Sequence, residues 1–145
     1  MAKILMAKVG TDAHDMGITV VERWLSDAGH DVVNLGLYNT PDRIAAAAAD
    51  EQPDIIGLSF LGGEPVYLAG RVLDTLATRS LDDVQLVVGG VLTPDMIEEL
   101  QALGVAATFP PGTGREAILE GLTAVLSGDR RNQPPDGAAV NTGVP

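Results

Sequence analysis

The sequence predicts one α/β domain of the flavodoxin-like (Rossmann-like) class, with a five-stranded parallel sheet in the order 2-1-3-4-5 and helices on both faces. Two observations favour this fold. Five short aliphatic and β-branched runs alternate with longer segments whose apolar residues recur at helical spacing. The chain has 145 residues, of which 46% are hydrophobic, so it is long enough for one full core and too short for two ordinary domains.

The first strand is predicted at residues 4–9, a run of mostly aliphatic side chains. The next segment has the apolar periodicity of a helix, and Gly29 is placed to end it. The apolar face of this helix comprises Met16, Val20, Val21, Trp24, Leu25 and Ala28. Residues 31–35 then form the second predicted strand.

The second helix has a clear start signal. Thr40 is predicted to be its N-cap, and Pro41 fits the first helical position, where a missing N–H costs nothing. This alanine-rich helix continues through Asp50, and Pro53 separates it from the third strand at residues 54–59.

The second half of the chain repeats this alternation. A helix is predicted at residues 65–78, a buried strand at 84–88 and a threonine-capped helix at 93–104. The fifth strand is predicted at 105–109, and the last helix at about 115–126.

Composition sets limits on function. The polar residues 128–145 are expected to form a disordered C-terminal tail, which leaves residues 1–127 as the domain. No cysteine is present, which excludes disulfides, zinc ribbons and thiol nucleophiles. The 20 acidic and nine basic residues give a net charge of -11, so the surface would repel nucleic acid. The start of the chain lacks a signal-peptide core and no segment is long enough to cross a bilayer, so we expect a cytoplasmic protein with no membrane partner.

In this fold class a ligand is expected at the carboxyl edge of the sheet, where the loops that follow the strands lie side by side. Four of these loops are rich in small residues: 10–17, 59–63, 89–91 and 110–114. Because small residues let the backbone approach a large ligand, these loops predict one long binding cleft. Paired glycines on their own are more often simple turns.

The first of these loops carries a candidate metal ligand. His14 is one of only two histidines, and Asp12 can accept a hydrogen bond from its Nδ1, which makes Nε2 a better ligand. Such a pair alone is more often a helix cap beside a surface histidine. The second histidine, His30, is predicted to be a solvated residue of a helix-to-strand connection, and Trp24 to belong to the core.

Three motifs in these loops resemble the signature of the cobalamin (B12)-binding domains of adenosylcobalamin-dependent mutases. That signature is D-x-H-x-x-G, then S-x-L, then G-G, and here it reads Asp12-Ala13-His14-Asp15-Met16-Gly17, Ser59-Phe60-Leu61 and Gly89-Gly90. The resemblance extends from about Lys3 to Leu126. The acyl-CoA mutase branch, which includes methylmalonyl-CoA mutase, is also similar at Ala7-Lys8-Val9-Gly10 and at Asn39-Thr40-Pro41.

The resemblance implies that cobalamin binds in the base-off, His-on mode. His14 would be the axial ligand of cobalt, Asp12 would orient it, and Lys8 would complete the hydrogen-bonded relay. The dimethylbenzimidazole tail would be buried in a slot of the domain. The implied cofactor contacts are Lys8, Thr11, Asp12, Ala13, His14, Asp15, Gly17, Ser59, Phe60, Leu61, Gly89, Gly90, Val91, Pro111, Gly112 and Thr113.

The same resemblance implies an isomerase subunit rather than a complete enzyme. Such domains work with a large TIM-barrel subunit that holds the substrate, so we expect a hetero-oligomer that is active only with that partner. Adenosylcobalamin would supply the radical for a 1,2-rearrangement of the carbon skeleton of an acyl-CoA. No catalytic residue beyond the cobalt ligand His14 is expected in this chain.

Alternatives remain open. The run Phe109-Pro110-Pro111-Gly112-Thr113 is similar to the small subunit of glutamate mutase. A non-catalytic corrinoid carrier or sensor would bind the same cofactor, and the fold alone also permits a flavodoxin-like module without a corrinoid. Glu64 and Tyr67 lie just past the loop at 59–63, where they could face a partner, the cofactor or solvent.

Overall fold

The aliphatic runs form the strands of one parallel sheet within residues 2–8, 16–60, 64–81 and 83–128, the part of the chain that the computed structural model describes. The strands are β1 (Lys3–Ala7), β2 (Asp31–Asn34), β3 (Ile55–Phe60), β4 (Gln85–Gly90) and β5 (Ala107–Phe109). They pair in the order β2-β1-β3-β4-β5. The predicted fold class and strand order are confirmed.

The strands alternate with helices that cover both faces of the sheet. These helices are α1 (Met16–Asp27), α2 (Pro41–Glu51), α3 (Pro65–Thr78), α4 (Pro94–Leu103) and α5 (Arg115–Leu126). Helices α2, α3 and α4 pack on one face, and α1 and α5 on the other. Among the described residues, no helix has both the length and the apolar composition needed to cross a bilayer.

Local signals set the helix ends as predicted. Thr40 accepts a hydrogen bond from the backbone N–H of Arg43 at 3.1 Å, and Thr93 caps α4 in the same way through Met96 at 3.2 Å. A proline follows each of these two caps at the first helical position. Gly104 ends α4 with a φ of 106°, a left-handed conformation that glycine adopts without a steric penalty.

Two separate cores lie on the two faces of the sheet because side chains alternate along each strand. In β1, Leu5 and Ala7 pack against α2, α3 and α4, whereas Ile4 and Met6 pack against α1 and α5. The same alternation continues in β3, where Ile56 joins the first core. Which face a strand residue takes therefore decides whether it can reach a ligand held under α1 and α5.

Strand boundaries differ from the predictions by a few residues. β4 extends to Gly90 because it pairs with β3 as far as Phe60. β5 begins at Ala107 rather than at 105, since the N–H of Val105 donates to Leu100 of α4 at 3.1 Å. β1 ends at Ala7, and residue 9 lies outside the described part of the chain.

The side-chain environments of His30, at the amino edge of the sheet, and of Val20, in α1, correct two predictions. His30 is not simply solvated: its Nδ1 accepts a hydrogen bond from the N–H of Ala2 at 3.1 Å, and the residue is half-buried. Val20 of α1 is 41% exposed rather than buried, and Trp24 packs against the core while only partly buried. At the same edge, the hydrogen bond from Lys3 to Glu51 raises the pKa of Lys3 above its usual value.

Candidate functional site

A cavity of about 330 Å³ lies between α1, α5 and the sheet. Its volume is at the lower end of the range of small-molecule sites, roughly 300–1,000 Å³. It extends to the last residues of β3 and β4 and to the loop that follows β5, and so reaches the carboxyl edge of the sheet. The lining residues are Ile4, Met6, Ile18, Val20, Val21, Trp24, Leu25, Gly57, Leu58, Ser59, Val87, Gly89, Gly90, Phe109, Pro110, Gly112, Thr113, Ile118 and Leu122.

Glycines in the central strands provide the depth of this cavity. A Cβ at Gly57 would lie 3.6 Å from Val87 Cγ2 and 3.8 Å from Met6 Cε, which are ordinary contact distances. Glycine is therefore not required there by sterics, and its absent side chain leaves room between the sheet and α1. Gly57 is a site residue that the sequence analysis missed, since a small residue inside a strand gives no signal of which face it takes.

At position 90, in contrast, the structure requires glycine. Its φ is +119°, and a Cβ there would collide with the carbonyl of Phe60 on the neighbouring strand. The next residue, Val91, donates its N–H to that same carbonyl at 2.8 Å. Only glycine can therefore end β4 in this close pairing with β3.

The far wall of the cavity combines β5 with α5. The ring of Phe109 packs on Gly121 so closely that a Cβ at that glycine would lie 2.7 Å from Cε1 of the ring. The loop after β5 turns at Gly112, with φ of +87°, and is closed by Thr113, whose hydroxyl donates to the Pro110 carbonyl at 2.6 Å. This wall is thus held in place by the loop that begins with the predicted Phe-Pro-Pro-Gly-Thr motif.

Lys8 lies at the end of β1, directly before the loop that carries the predicted cobalt ligand. It is only 1% exposed, and its Nζ donates to the backbone carbonyl of Ser59 at 2.9 Å. A buried ammonium is costly unless it is well hydrogen-bonded, so its position here is tightly specified. Lys8 joins the carboxyl ends of β1 and β3, the strands that precede the first two motif loops.

The predicted cofactor contacts fall into three groups. Ser59, Gly89, Gly90, Gly112 and Thr113 line the cavity. The side chain of Phe60 packs in the opposite core because it alternates with Ser59 along β3, while Val91 is 47% exposed and Pro111 is exposed and outside the lining. Gly17 belongs to the first turn of α1, and Thr11, Asp12, Ala13, His14, Asp15 and Leu61 lie outside the described residues.

The cavity is suited to binding rather than to acid–base chemistry. Its described lining contains no ionisable side chain. Within the described ranges, no group of three or more His, Asp or Glu residues could hold a metal ion. A largely apolar group fits such a lining, with backbone and hydroxyl groups at the carboxyl end to orient it.

The sequence matches the family model of the B12-binding domain over residues 2–120. The chain is 33% identical over 125 residues to the 2-hydroxyisobutanoyl-CoA mutase small subunit of Aquincola tertiaricarbonis, covering 86% of this chain and 92% of that protein. It is 32% identical over 139 residues to the pivalyl-CoA mutase small subunit of Xanthobacter autotrophicus, covering 96% and 93%.

Longer proteins match only in part. The probable methylmalonyl-CoA mutase large subunit of Mycobacterium tuberculosis is 41% identical over 111 residues, which are 77% of this chain. This chain spans only 15% of the length of that relative.

Solved structures share the fold. A cobalamin-binding protein from Desulfitobacterium hafniense has a TM-score of 0.70 at 24% identity, covering 83% of this chain and 58% of that one. The methanol:cobalamin methyltransferase complex of Methanosarcina barkeri has a TM-score of 0.71 at 23% identity, covering 88% of this chain and 47% of that one. The receiver domain of a NarL response regulator from Mycobacterium tuberculosis has a TM-score of 0.65 at 16% identity, covering 88% of this chain and 97% of that one.

Proposed function

Because this chain belongs to the B12-binding domain family, we propose that it is the cobalamin-binding small subunit of an adenosylcobalamin-dependent acyl-CoA mutase. One observation carries the proposal: two relatives that match over nearly their whole length, at 33% and 32% identity, are acyl-CoA mutase small subunits. Mutases are isomerases, so the chain is an isomerase subunit. A large TIM-barrel subunit would hold the acyl-CoA, and activity would require both chains.

The cavity under α1 and α5 supports the cofactor part of the proposal. The dimethylbenzimidazole base is flat and mostly apolar, and the cavity offers aliphatic and aromatic walls with glycines on the strands. Ser59, Gly89 and Gly90 lie where this cavity meets the carboxyl edge, the edge of the sheet at which β1 also ends. The base and its nucleotide linkage would thus lie between α1 and α5, leaving the corrin above the edge.

His14 would hold cobalt, with Asp12 and Lys8 behind it. The position of Lys8 supports this assignment, since its buried ammonium lies at the base of the loop and is fixed on the Ser59 carbonyl. A carboxylate–histidine pair anchored in this way would fix the imidazole tautomer and adjust the charge at the metal.

When bound, adenosylcobalamin supplies the radical that starts the rearrangement. The residues of this chain would bind the cofactor, orient it and exclude water from its base. Because no ionisable side chain lines the described cavity, contacts to the substrate are assigned to the large subunit.

The cofactor assignment is tested by electron paramagnetic resonance of the chain loaded with cob(II)alamin. An axial nitrogen splits the cobalt signal according to its isotope, so protein in which only histidine carries the heavy nitrogen isotope distinguishes a protein imidazole from the cofactor's own base. We expect the heavy-nitrogen pattern in the unmodified protein and its loss in His14→Ala. His30→Gln is the matched control, since it removes the other histidine and keeps an acceptor for the N–H of Ala2.

An unlabelled axial nitrogen in the unmodified protein would contradict ligation by His14, and failure to bind cobalamin would contradict the cofactor. The substrate class is tested by adding the large chain that co-purifies with this one and assaying isomerisation of acyl-CoA esters and of glutamate. Turnover of glutamate alone would overturn the acyl-CoA assignment in favour of a glutamate mutase small subunit.

A further inference from the structure

Asn39 is a buried polar residue that no sequence motif assigned to the site. It lies in the connection between β2 and α2 and is 1% exposed. Its backbone N–H and its side-chain Nδ2 both donate to the carbonyl of Lys8, at 3.1 and 3.0 Å. Nδ2 also donates to the carbonyl of Gly36 at 2.8 Å, and that carbonyl accepts a further bond from the N–H of Lys8 at 3.1 Å.

The orientation of this amide is fixed by its partners. Its Oδ1 accepts a hydrogen bond from Arg43 Nε at 2.7 Å. The reverse orientation would place the amide oxygen against the two carbonyls of Lys8 and Gly36 and the NH₂ group against the guanidinium, so all three contacts would be repulsive. Asn39 thus joins the end of β1 to the first turn of α2 through a fully satisfied network.

The chain bends sharply to bring Asn39 inward. Tyr38, the preceding residue, has a φ of +60° although it is not glycine, and its side chain is 62% exposed. A bulky residue in this left-handed region is strained, and such strain persists only where surrounding contacts fix the conformation. The Asn39 network provides those contacts.

From these contacts we infer that Asn39 is a positioning residue for the cobalt-binding loop, an inference that rests on the proposed function. Lys8 is the last described residue before residues 9–15, which include His14. Asn39 saturates the carbonyl of Lys8, and the Lys8 side chain reaches Ser59. The network thereby holds both the backbone and the side chain of Lys8, the residue from which the loop departs.

The test compares Asn39→Ala with Asn34→Ala, loaded with cob(II)alamin and labelled with heavy-nitrogen histidine. Asn34 is the control because it lies close by, as the last residue of β2, but its side chain bonds to other partners: it accepts from the N–H of Gly36 at 2.7 Å and donates to Glu22 at 2.9 Å. Asn39→Ala is expected to weaken cobalamin binding by about tenfold. It is also expected to shift the bound population, at saturating cofactor, from histidine ligation toward the cofactor's own base. Asn34→Ala should match the unmodified protein in both respects.

A further control separates positioning from stability. Val72→Ala lies in the same layer, fully buried in α3, and should destabilise the fold without changing the axial ligand. Should Asn39→Ala not fold, Asn39→Asp is used: it keeps the size and the Arg43 contact, but its side chain cannot donate to the carbonyl of Lys8 or of Gly36, and the same spectral shift is expected.

Full histidine ligation in the folded Asn39 variants, alongside normal ligation in the unmodified protein, would overturn this inference and leave the proposed function intact. Absence of histidine ligation in the unmodified protein itself would overturn both.

Discussion

Gly90 shows how one residue fixes the distance between two motif loops. Its positive φ and the nearby Phe60 carbonyl leave no space for a Cβ, so the ends of β3 and β4 can approach only with glycine at this position. Gly112 also has a positive φ, but a Cβ there would meet nothing within 4 Å. An alanine at Gly112 would therefore cost only the strained backbone conformation, whereas an alanine at Gly90 would add a steric collision.

We predict that Gly90→Ala lowers the free energy of unfolding by at least about 2 kcal/mol more than Gly112→Ala does, since the latter should cost only the roughly 1–2 kcal/mol of a left-handed alanine. Urea denaturation followed by circular dichroism measures both values. Equal losses in the two variants would show that the strands separate easily at this point.

The contacts of individual side chains were the hardest features to predict from the sequence. Ser59, Gly89 and Gly90 were predicted from the sequence motifs and lie on the cavity. Asn39 could not be assigned a role, because its partner Lys8 is 31 positions away and nothing in a run of residues encodes that approach. Phe60 was assigned to the cofactor, but strand alternation places its side chain in the other core.

At the scale of elements, α1 and α5 stand off from the sheet where β3 carries glycine instead of a larger residue. Gly57 faces this space, and the first carbon of a side chain there would make only ordinary contacts. Because Gly57 lines the cavity, we expect a larger aliphatic side chain there to occupy part of it.

We predict that Gly57→Leu leaves the free energy of unfolding unchanged or raises it by up to about 1 kcal/mol, because apolar surface fills an apolar space. Cobalamin binding should weaken by more than about tenfold, because the base and the leucine compete for the same volume. Gly70→Ala in α3 is the control: it lies away from the cavity, and its Cβ would make an ordinary contact with Leu103. Normal cobalamin affinity in Gly57→Leu, measured by absorption titration, would show that the base binds elsewhere.

The first residues of the helices were the features that the sequence predicted best. Thr40-Pro41 and Thr93-Pro94 form the expected caps because an N-cap signal is contained within a few neighbouring residues. The start of β5 was less predictable: Val105 has the composition of a strand residue, yet its N–H bonds back to α4. Strand ends depend on partners far along the chain, and a local pattern does not contain them.

At the scale of the whole molecule, neither described core extends beyond α5. Val125 is the last buried residue of the core under α1 and α5, and the core on the other face ends earlier, at Val105. The described residues therefore complete the hydrophobic packing before the polar segment 129–145, which lies outside them.

A chain truncated after Gly128 is accordingly expected to unfold with a Tm within about 2 °C of the full chain and to bind cobalamin with the same affinity. Differential scanning calorimetry, with and without cofactor, measures both effects. A clear loss of Tm would show that residues 129–145 contribute to folding, and a loss of affinity alone would assign them to the cofactor site.

The two cores of the domain differ in how completely they are filled. The face covered by α2, α3 and α4 holds the larger cluster of buried residues, whereas the face covered by α1 and α5 contains the cavity. A ligand can therefore bind between α1, α5 and the sheet without displacing the residues packed under α2, α3 and α4. Hydrogen exchange of the backbone amides should therefore slow most in α1 when cobalamin binds, and it should change little in α3.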